Sequence, residues 1–476
     1  MASDRAGAMA SFRDPGGRLA VIGDRAIRCV SAAGIETFAA FEGSRAVAAR
    51  QAAGSVIGTR RLAAADAANL VPTFDRADGV LVEHDLIEFP SYPYEWPPEM
   101  LFEAGRLTLA LARELLDEGL GLKDATPFNV LFRGPRAVFV DALSVEPRAD
   151  GDPLWRPEAQ FIRTFLLPLA AGRLIGLGLD RIFLTRRDGL DPAEFLRMCP
   201  LARRLFPPVL GMATVPVLLS RLATGKDIYK DVRLDDAARA EFVVRATLRR
   251  LERRLSGLCP DSGRVSAWSD YATRSHYPPQ AWQRKCTVVE AAIRSAAPER
   301  VLDLGCNDGH FSLMAAATGA RVVAVDRDEA LVGRLWRRAH DADADVLPLV
   351  VDIAAPSPAT GWRSGERPSF AGRAAGTFDL TLLLALAHHL AIDERIPLDE
   401  IASVTAETTG RLAIVEYVGP ADPMFRTLLK GRGALFRDYT FEAFAAAFAH
   451  HFELVRNEPL PGLDRRVLVL EKRRPT

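Results

Sequence analysis

Three groups of residues in this chain have the types and spacing to do chemistry. The first is D-L-G-C-N-D-G, Asp303 to Gly309, at the end of the apolar run Val301 to Leu304 and ahead of Phe311, Leu313 and Met314. That pattern predicts a buried strand turning sharply into a helix. Glycines in such a turn let the backbone approach a ligand where a Cβ would obstruct it, and the helix start adds N–H groups aimed at the same spot. A second apolar run, Arg321 to Val325, ends in Asp326. Its separation from Asp303 is that at which a nucleotide-binding unit places an acid on ribose hydroxyls. The second group is the pair His388-His389 in A-L-A-H-H-L, followed at a later strand end by Glu416 and Tyr417. A histidine with its ordinary pKa of about 6.5 suits proton removal from a hydroxyl or amine. The third group, Asp124, Asn129 and Asp141, lies in L-K-D-A-T-P-F-N-V-L-F and A-V-F-V-D.

The elements that must position these residues follow from the apolar pattern. From Val301 the chain alternates strand and helix signals, as expected of an α/β parallel sheet with helices on both faces. The predicted strands are 301–304, 321–326, 346–352, 378–384 and 411–417, with 452–456 and 465–470 as a final antiparallel pair. The stretch from Pro356 to Gly376, rich in Pro, Ser, Gly and Arg, reads as a surface loop. Small residues around Leu255 to Gly263 mark a domain boundary, giving an N-terminal region over 1–255 and a second domain over 264–476. Within the first, 16–90 carries strands, including a hairpin turning at Gly23-Asp24, and 99–255 is mostly helical, so that region reads as α+β.

Composition narrows the class. The 476 residues are 49% hydrophobic, ample for several cores, and the formal net charge is zero, so no affinity for nucleic acid is indicated. The five cysteines form no C-x-x-C pair and predict neither a disulfide framework nor a zinc site; no metal site is assigned. The longest apolar stretch, Phe165 to Leu179, is cut by Arg173 and is too short for a membrane span. With no signal-peptide run at the N-terminus, the expectation is a cytoplasmic protein.

Residues 268–476 resemble class I S-adenosylmethionine (SAM)-dependent methyltransferases, on the strand order and on D-L-G-C-N-D-G, with Asn307 where many members carry glycine. The resemblance implies a Rossmann-like seven-stranded domain with SAM as cofactor. It implies that Asp303, Gly305, Cys306, Asn307 and Gly309 cradle the methionine part and that Asp326 binds the ribose. Asp352 and Ile353 would hold the adenine edge, with Leu384 and Ala385 on the sulfonium side. His388, His389 and Glu416 are then the candidates for catalysis at the acceptor. A dinucleotide is disfavoured because Asp308 would repel a pyrophosphate, whereas the ammonium and sulfonium of SAM prefer nearby carboxylates. The overall arrangement also looks similar to bacterial methyltransferases linked to nodulation and surface-glycan modification.

The third group resembles the catalytic loop of protein-kinase-like folds, in which Asp124 would be the base and Asn129 and Asp141 would hold Mg²⁺. Two departures stand out. No lysine occurs in residues 1–122, and Ala142-Leu143 follow Asp141 where a kinase has Phe-Gly. The sequence therefore predicts a methyltransferase whose N-terminal region recognises an unidentified acceptor, whether small molecule, glycan or protein, or a partner. A bifunctional phosphotransferase/methyltransferase and a non-catalytic SAM-binding scaffold are the alternatives.

Overall fold

The computed structural model describes residues 8–11, 13–63, 66, 70, 74, 79–222, 233–261, 277–429 and 436–474. It divides into two compact units, residues 1–261 with 359–367, and residues 262–358 with 368–476. Residues 268–277, W-S-D-Y-A-T-R-S-H-Y, read in the sequence as an aromatic-rich lead-in to the second domain, and all of them but Tyr277 lie outside the described residues.

The first unit opens with a five-stranded antiparallel sheet. Its strands are β1 (Ala8–Ser11), β2 (Gly17–Ile22), β3 (Arg25–Val30), β4 (Thr59–Arg61) and β5 (Val80–His84), in the order β1-β2-β3-β5-β4. The β2–β3 hairpin turns at Gly23, whose φ of 64° is left-handed backbone. Helices Ile35–Gly43 and Arg45–Ala52 connect β3 to β4. Helical structure then dominates, interrupted by the pairs β6 (Leu120–Leu122) with β9 (Val145–Pro147), and β7 (Val130–Arg133) with β8 (Arg136–Phe139). The helix Pro98–Leu116 packs against Ala237–Ser256, whose buried Ala240, Val244, Leu248, Leu251 and Leu255 form one apolar stripe. Asp236 caps that second helix by accepting from the backbone N–H groups of Ala238 and Arg239.

The second unit is built on a seven-stranded mixed sheet: β10 (Arg300–Leu304), β11 (Arg321–Asp326), β12 (Val346–Val350), β13 (Phe378–Leu383), β14 (Thr409–Val418), β15 (Phe452–Pro459) and β16 (Arg465–Lys472). Its order is β12-β11-β10-β13-β14-β16-β15. The first five strands are parallel, and β16 runs antiparallel to both β14 and β15. Val301, Leu302, Val325, Leu349 and Leu382 are fully buried or nearly so, which is why these strands read as continuous apolar runs rather than alternations. The chain leaves β10 toward β11 and β12, then returns to the other side of β10 with β13. That reversal opens a crevice at the carboxyl ends of β10 and β13.

The expected surface loop at 356–376 departs from the reading. Residues Phe370–Ala374 form a short helix, and Ala359–Arg367 belong to the first unit. There Glu366 meets Arg13 at 2.5 Å, and the half-buried Arg367 guanidinium lies 4.0 Å from the centre of the Phe128 ring. A composition of small residues hides such anchoring, because two side chains make it and neither breaks the loop pattern.

Candidate active site

The crevice is a cavity walled by strand ends. Asp303, Gly305, Cys306 and Asn307 line it from the end of β10, and Asp326 from the end of β11. Asp352 and Ile353 line it just beyond β12, and Leu384 and Ala385 just beyond β13. His389 faces the same space.

Local backbone chemistry shapes the β10 turn. Gly305 has φ of 75°, and both its N–H and that of Cys306 donate to the Val325 carbonyl, at 2.8 and 2.9 Å. Asn307 is also left-handed, with φ of 52°, a conformation asparagine tolerates better than most side chains. Its N–H donates to Asp326 Oδ2 at 2.9 Å, while Asp326 Oδ1 accepts from the Asp328 N–H at 2.9 Å. The second acid is thus oriented by backbone donors. Ala385, a non-glycine residue with φ of 53° at the cavity wall, is the kind of strained position that collects at ligand sites.

The acids of this wall are poorly solvated. Burial raises Asp303 to a pKa of about 6, with the Ser312 hydroxyl, 2.6 Å from Oδ2, pulling the other way. Burial likewise raises Asp326, opposed by its two backbone donors. Carboxylates held this way gain from a cationic ligand and would lose from a phosphate. Cys306 is buried with its thiol pushed well up, so it stays protonated.

Three expectations are redistributed. Gly309 does not line the cavity: a Cβ there would fall 2.1 Å from Leu335 Cδ1, and its φ is 76°, so its task is to let the loop pack on the helix Glu329–Asp341. His388 is also off the cavity, 1% exposed, with both ring nitrogens lacking a hydrogen-bond partner among the described residues. Burial first, and then its histidine neighbour, holds His388 well below its usual pKa, so it is neutral. Glu416 is fully buried behind the cavity wall. His389, by contrast, lies on the wall and donates from Nδ1 to Asp393 Oδ2 at 3.1 Å. Burial lowers its pKa, and Asp393 offsets part of that.

Sequence reasoning missed Lys285. It sits on the helix Pro279–Ala296 beside Ala281, Val288 and Val289 on the buried face, and its own exposure is 3%. Its ammonium lies 2.7 Å from Glu416 Oε2 and 3.1 Å from the Tyr277 hydroxyl, which in turn donates to Glu416 Oε1 at 2.8 Å. Arg465 approaches the same Glu416 at 3.7 Å while making a two-pronged pair with Asp422, at 2.7 and 3.0 Å. The available signal was a charged residue at a helical position whose i−4, i+3 and i+4 neighbours are all apolar.

In the first unit, Asp124, Asn129 and Asp141 do come together with other groups. Asp124 Oδ1 accepts from Asn129 Nδ2 at 2.7 Å and from the Ser144 hydroxyl at 2.6 Å. Asp141 Oδ1 accepts from the Leu143 N–H at 3.1 Å and lies 3.7 Å from the buried Arg28 guanidinium. Among the described residues, no group of three or more His, Cys, Asp or Glu side chains could hold a metal ion. No helix among them is long and apolar enough to cross a membrane.

The parallel strands of the mixed sheet open on an acid-lined crevice at the switch point, and residues 275–454 match the family described as "Methyltransferase domain". The protein is a SAM-dependent methyltransferase. Over nearly its whole length it is also 32% identical to nodulation protein NoeA of Rhizobium meliloti (strain 1021), with 99% of this chain and 97% of that protein aligned. The chain belongs to the NoeA family. Among solved structures, it is similar to the N-methyltransferase NodS from Bradyrhizobium japonicum WM9, at 13% identity over 41% of this chain and 98% of that one, with a TM-score of 0.30. It is also similar to magnesium protoporphyrin IX methyltransferase (ChlM) from Synechocystis PCC 6803 with bound SAH, at 18% identity over 45% and 90%, TM-score 0.30. The bifunctional kinase-methyltransferase WbdD matches at 21% identity over 40% and 39%, TM-score 0.29.

Proposed function

We propose that the cavity at the ends of β10–β13 is the SAM site and that His389 is the base serving the acceptor. The observation that carries this reading is that Asp303, Asp326, Asp352 and His389, from four separate chain segments, share one cavity. When bound, SAM supplies an electrophilic methyl group on a sulfonium. Asp326 holds the ribose hydroxyls, and Asp352 with the Ile353 backbone fixes the adenine edge. The Gly305–Asn307 backbone and Asp303 take the methionine part, and Leu384 and Ala385 form a dry wall beside the reacting centre, where positioning does most of the work. His389 Nε2 accepts the acceptor's proton while Asp393 steadies the ring through Nδ1. His388, Glu416 and Gly309 support this wall from behind. Calorimetry with SAM tests the assignment: Asp326→Ala should weaken binding on the order of a hundredfold, since two hydrogen bonds to a charged group are lost. Undiminished affinity would overturn it.

The first unit, in this reading, is an acceptor- or partner-recognition region with a kinase-like layout and no phosphotransfer. Its support is the self-satisfied cluster, in which Asn129 and Ser144 donate to Asp124 and Arg28 lies against Asp141. Magnesium-dependent ATP binding that vanished in Asp141→Ala would favour the bifunctional alternative instead. A cytoplasmic location belongs to the same proposal.

A further inference from the structure

We infer that the apolar and basic face built by residues 197–219 of the first unit seats the protein on an anionic lipid surface. Its leucines and Phe206 enter the headgroup layer, and its arginines meet the phosphates. The inference is independent of the SAM reading.

Six of the fifteen large apolar side chains exposed among the described residues fall within 201–219. Leu201, Leu205, Phe206, Leu218 and Leu219 are each more than half exposed. Apolar side chains scattered singly over a surface need no explanation, but a contiguous group does. This group is contiguous. The helical turn Leu201–Leu205 precedes the helix Leu210–Thr214, which continues as Val215–Leu222. The Thr214 hydroxyl donates to the Arg204 carbonyl at 2.6 Å, and the Leu210 N–H to the Phe206 carbonyl at 3.0 Å, so turn and helix are held together. On that helix Val215, Leu218 and Leu219 stand at i, i+3 and i+4, which makes one exposed stripe. Met212, Ala213 and Val217 are buried on the other side. The helix is therefore apolar on two faces, and only one of them packs on the core.

Charge selects the occupant of the other. Between Glu194 and Asp227 the sequence carries five arginines and lysines and no acid, in a chain whose formal net charge is zero. Arg197 and Arg203 are exposed. Arg204 donates to the Cys199 carbonyl at 3.1 Å, and Arg254, from the helix Ala237–Ser256, donates to the Gly211 carbonyl at 3.3 Å, so two more guanidiniums edge the face. Glu194, the next acid toward the N-terminus, is already met by Arg186 at 2.8 Å. A second copy fits poorly, because a two-fold contact sets a face against itself, here cation against cation. An anionic lipid surface offers phosphates to the arginines and an apolar layer to the leucines at once. A helix lying in that interface needs a stripe of this kind and no span.

Flotation of the full chain tests this, with vesicles of phosphatidylcholine alone and of phosphatidylcholine with phosphatidylglycerol. Wild type should float with the anionic vesicles in preference to the neutral ones, and raised salt should weaken that binding. Leu218→Ser/Leu219→Ser should lower the affinity on the order of a hundredfold, since two leucines no longer leave water. Arg197→Gln/Arg203→Gln should lower it by about fivefold for each arginine on anionic vesicles. Arg106→Gln/Arg294→Gln removes the same charge from exposed positions elsewhere and should change nothing. Circular dichroism and SAM calorimetry confirm that each variant is folded. Wild type that stays off the anionic vesicles overturns the inference, as does a folded leucine variant that floats like wild type. Self-association in sedimentation velocity that the leucine variant abolishes also overturns it, because the face then belongs to a second copy.

Discussion

Each unit of this protein gathers carboxylates at the end of a short strand, yet the two gatherings differ in what their oxygens face. In the second unit, Asp303 and Asp326 open onto a cavity, and their orienting partners are one hydroxyl and two backbone N–H groups. In the first, Asp124 is closed over by Asn129 and Ser144, and Asp141 lies against the Arg28 guanidinium. The difference teaches that acid residues at suggestive spacing do not define a site. Burial raises Asp124 as it raises Asp303 and Asp326, and Asp141 adds to that on Asp124, so the two gatherings share the electrostatic burden and differ in the donors around them and in the cavity beside one of them.

The comparison can be broken or sharpened in four ways. The largest effect is expected at His389. His389→Ala should lower kcat by about 10²–10⁴ with SAM affinity changed less than about twofold, whereas His388→Ala should leave SAM affinity intact and act through stability. Next comes Asp326→Ala, with its loss of SAM affinity on the order of a hundredfold, against no change for Asp141→Ala; equal losses from both would erase the distinction between the two units.

The third concerns pH. Burial raises Asp303 from the ordinary aspartate value of 3.8 to about 6 in the folded protein. Ionising it in the empty fold therefore costs stability, and that cost grows as pH rises from about 4 to about 6. A cationic ligand favours the ionised form, so SAM affinity should fall as pH drops below about 6, by up to about tenfold per pH unit, with proton release on binding. Isothermal titration in buffers of different ionisation enthalpy measures both, and a flat profile would remove Asp303 from the ligand's surroundings.

The smallest functional effect is expected in the closed cluster. Asn129→Ala should cost about 1–3 kcal/mol of stability, since it leaves the half-buried Asp124 carboxylate short of a donor, and should leave SAM affinity unchanged. Thermal unfolding together with calorimetry checks both halves of that statement. His84 offers a companion reading from the same unit. Burial and its Arg28 neighbour hold it down to about 3, so it is neutral in the fold and the unfolded chain takes its proton first. The contribution to stability is present above about pH 6.5 and is lost as pH falls from there toward 3.

Much of the second unit was legible in the sequence, because its information is local. A strand buried on both faces must be an unbroken apolar run, and the residues at its carboxyl end follow it directly in the chain. Asp303, Asp326, Asp352 and Leu384 could therefore be placed without knowing which strand lies beside which. The hairpin at Gly23 was legible for the same reason. The segment Ala359–Arg367 was not: nothing local says that it is built into the other unit.

What the sequence determined by itself was the cradle, because strand, turn and acid are covalent neighbours. What only the tertiary structure decided was the charge behind it and the choice between adjacent histidines. Lys285, Glu416 and Arg465 meet because a helix ahead of β10 packs near β14 and β16, and β16 pairs antiparallel with β14, bringing Arg465 opposite Val418. His388 and His389 are neighbours in sequence, yet one is fully buried off the cavity and the other lines it. Consecutive positions on a helix point about 100° apart, so which one meets the cavity depends on how the helix docks, and docking is set by long-range packing that no single stretch of residues records.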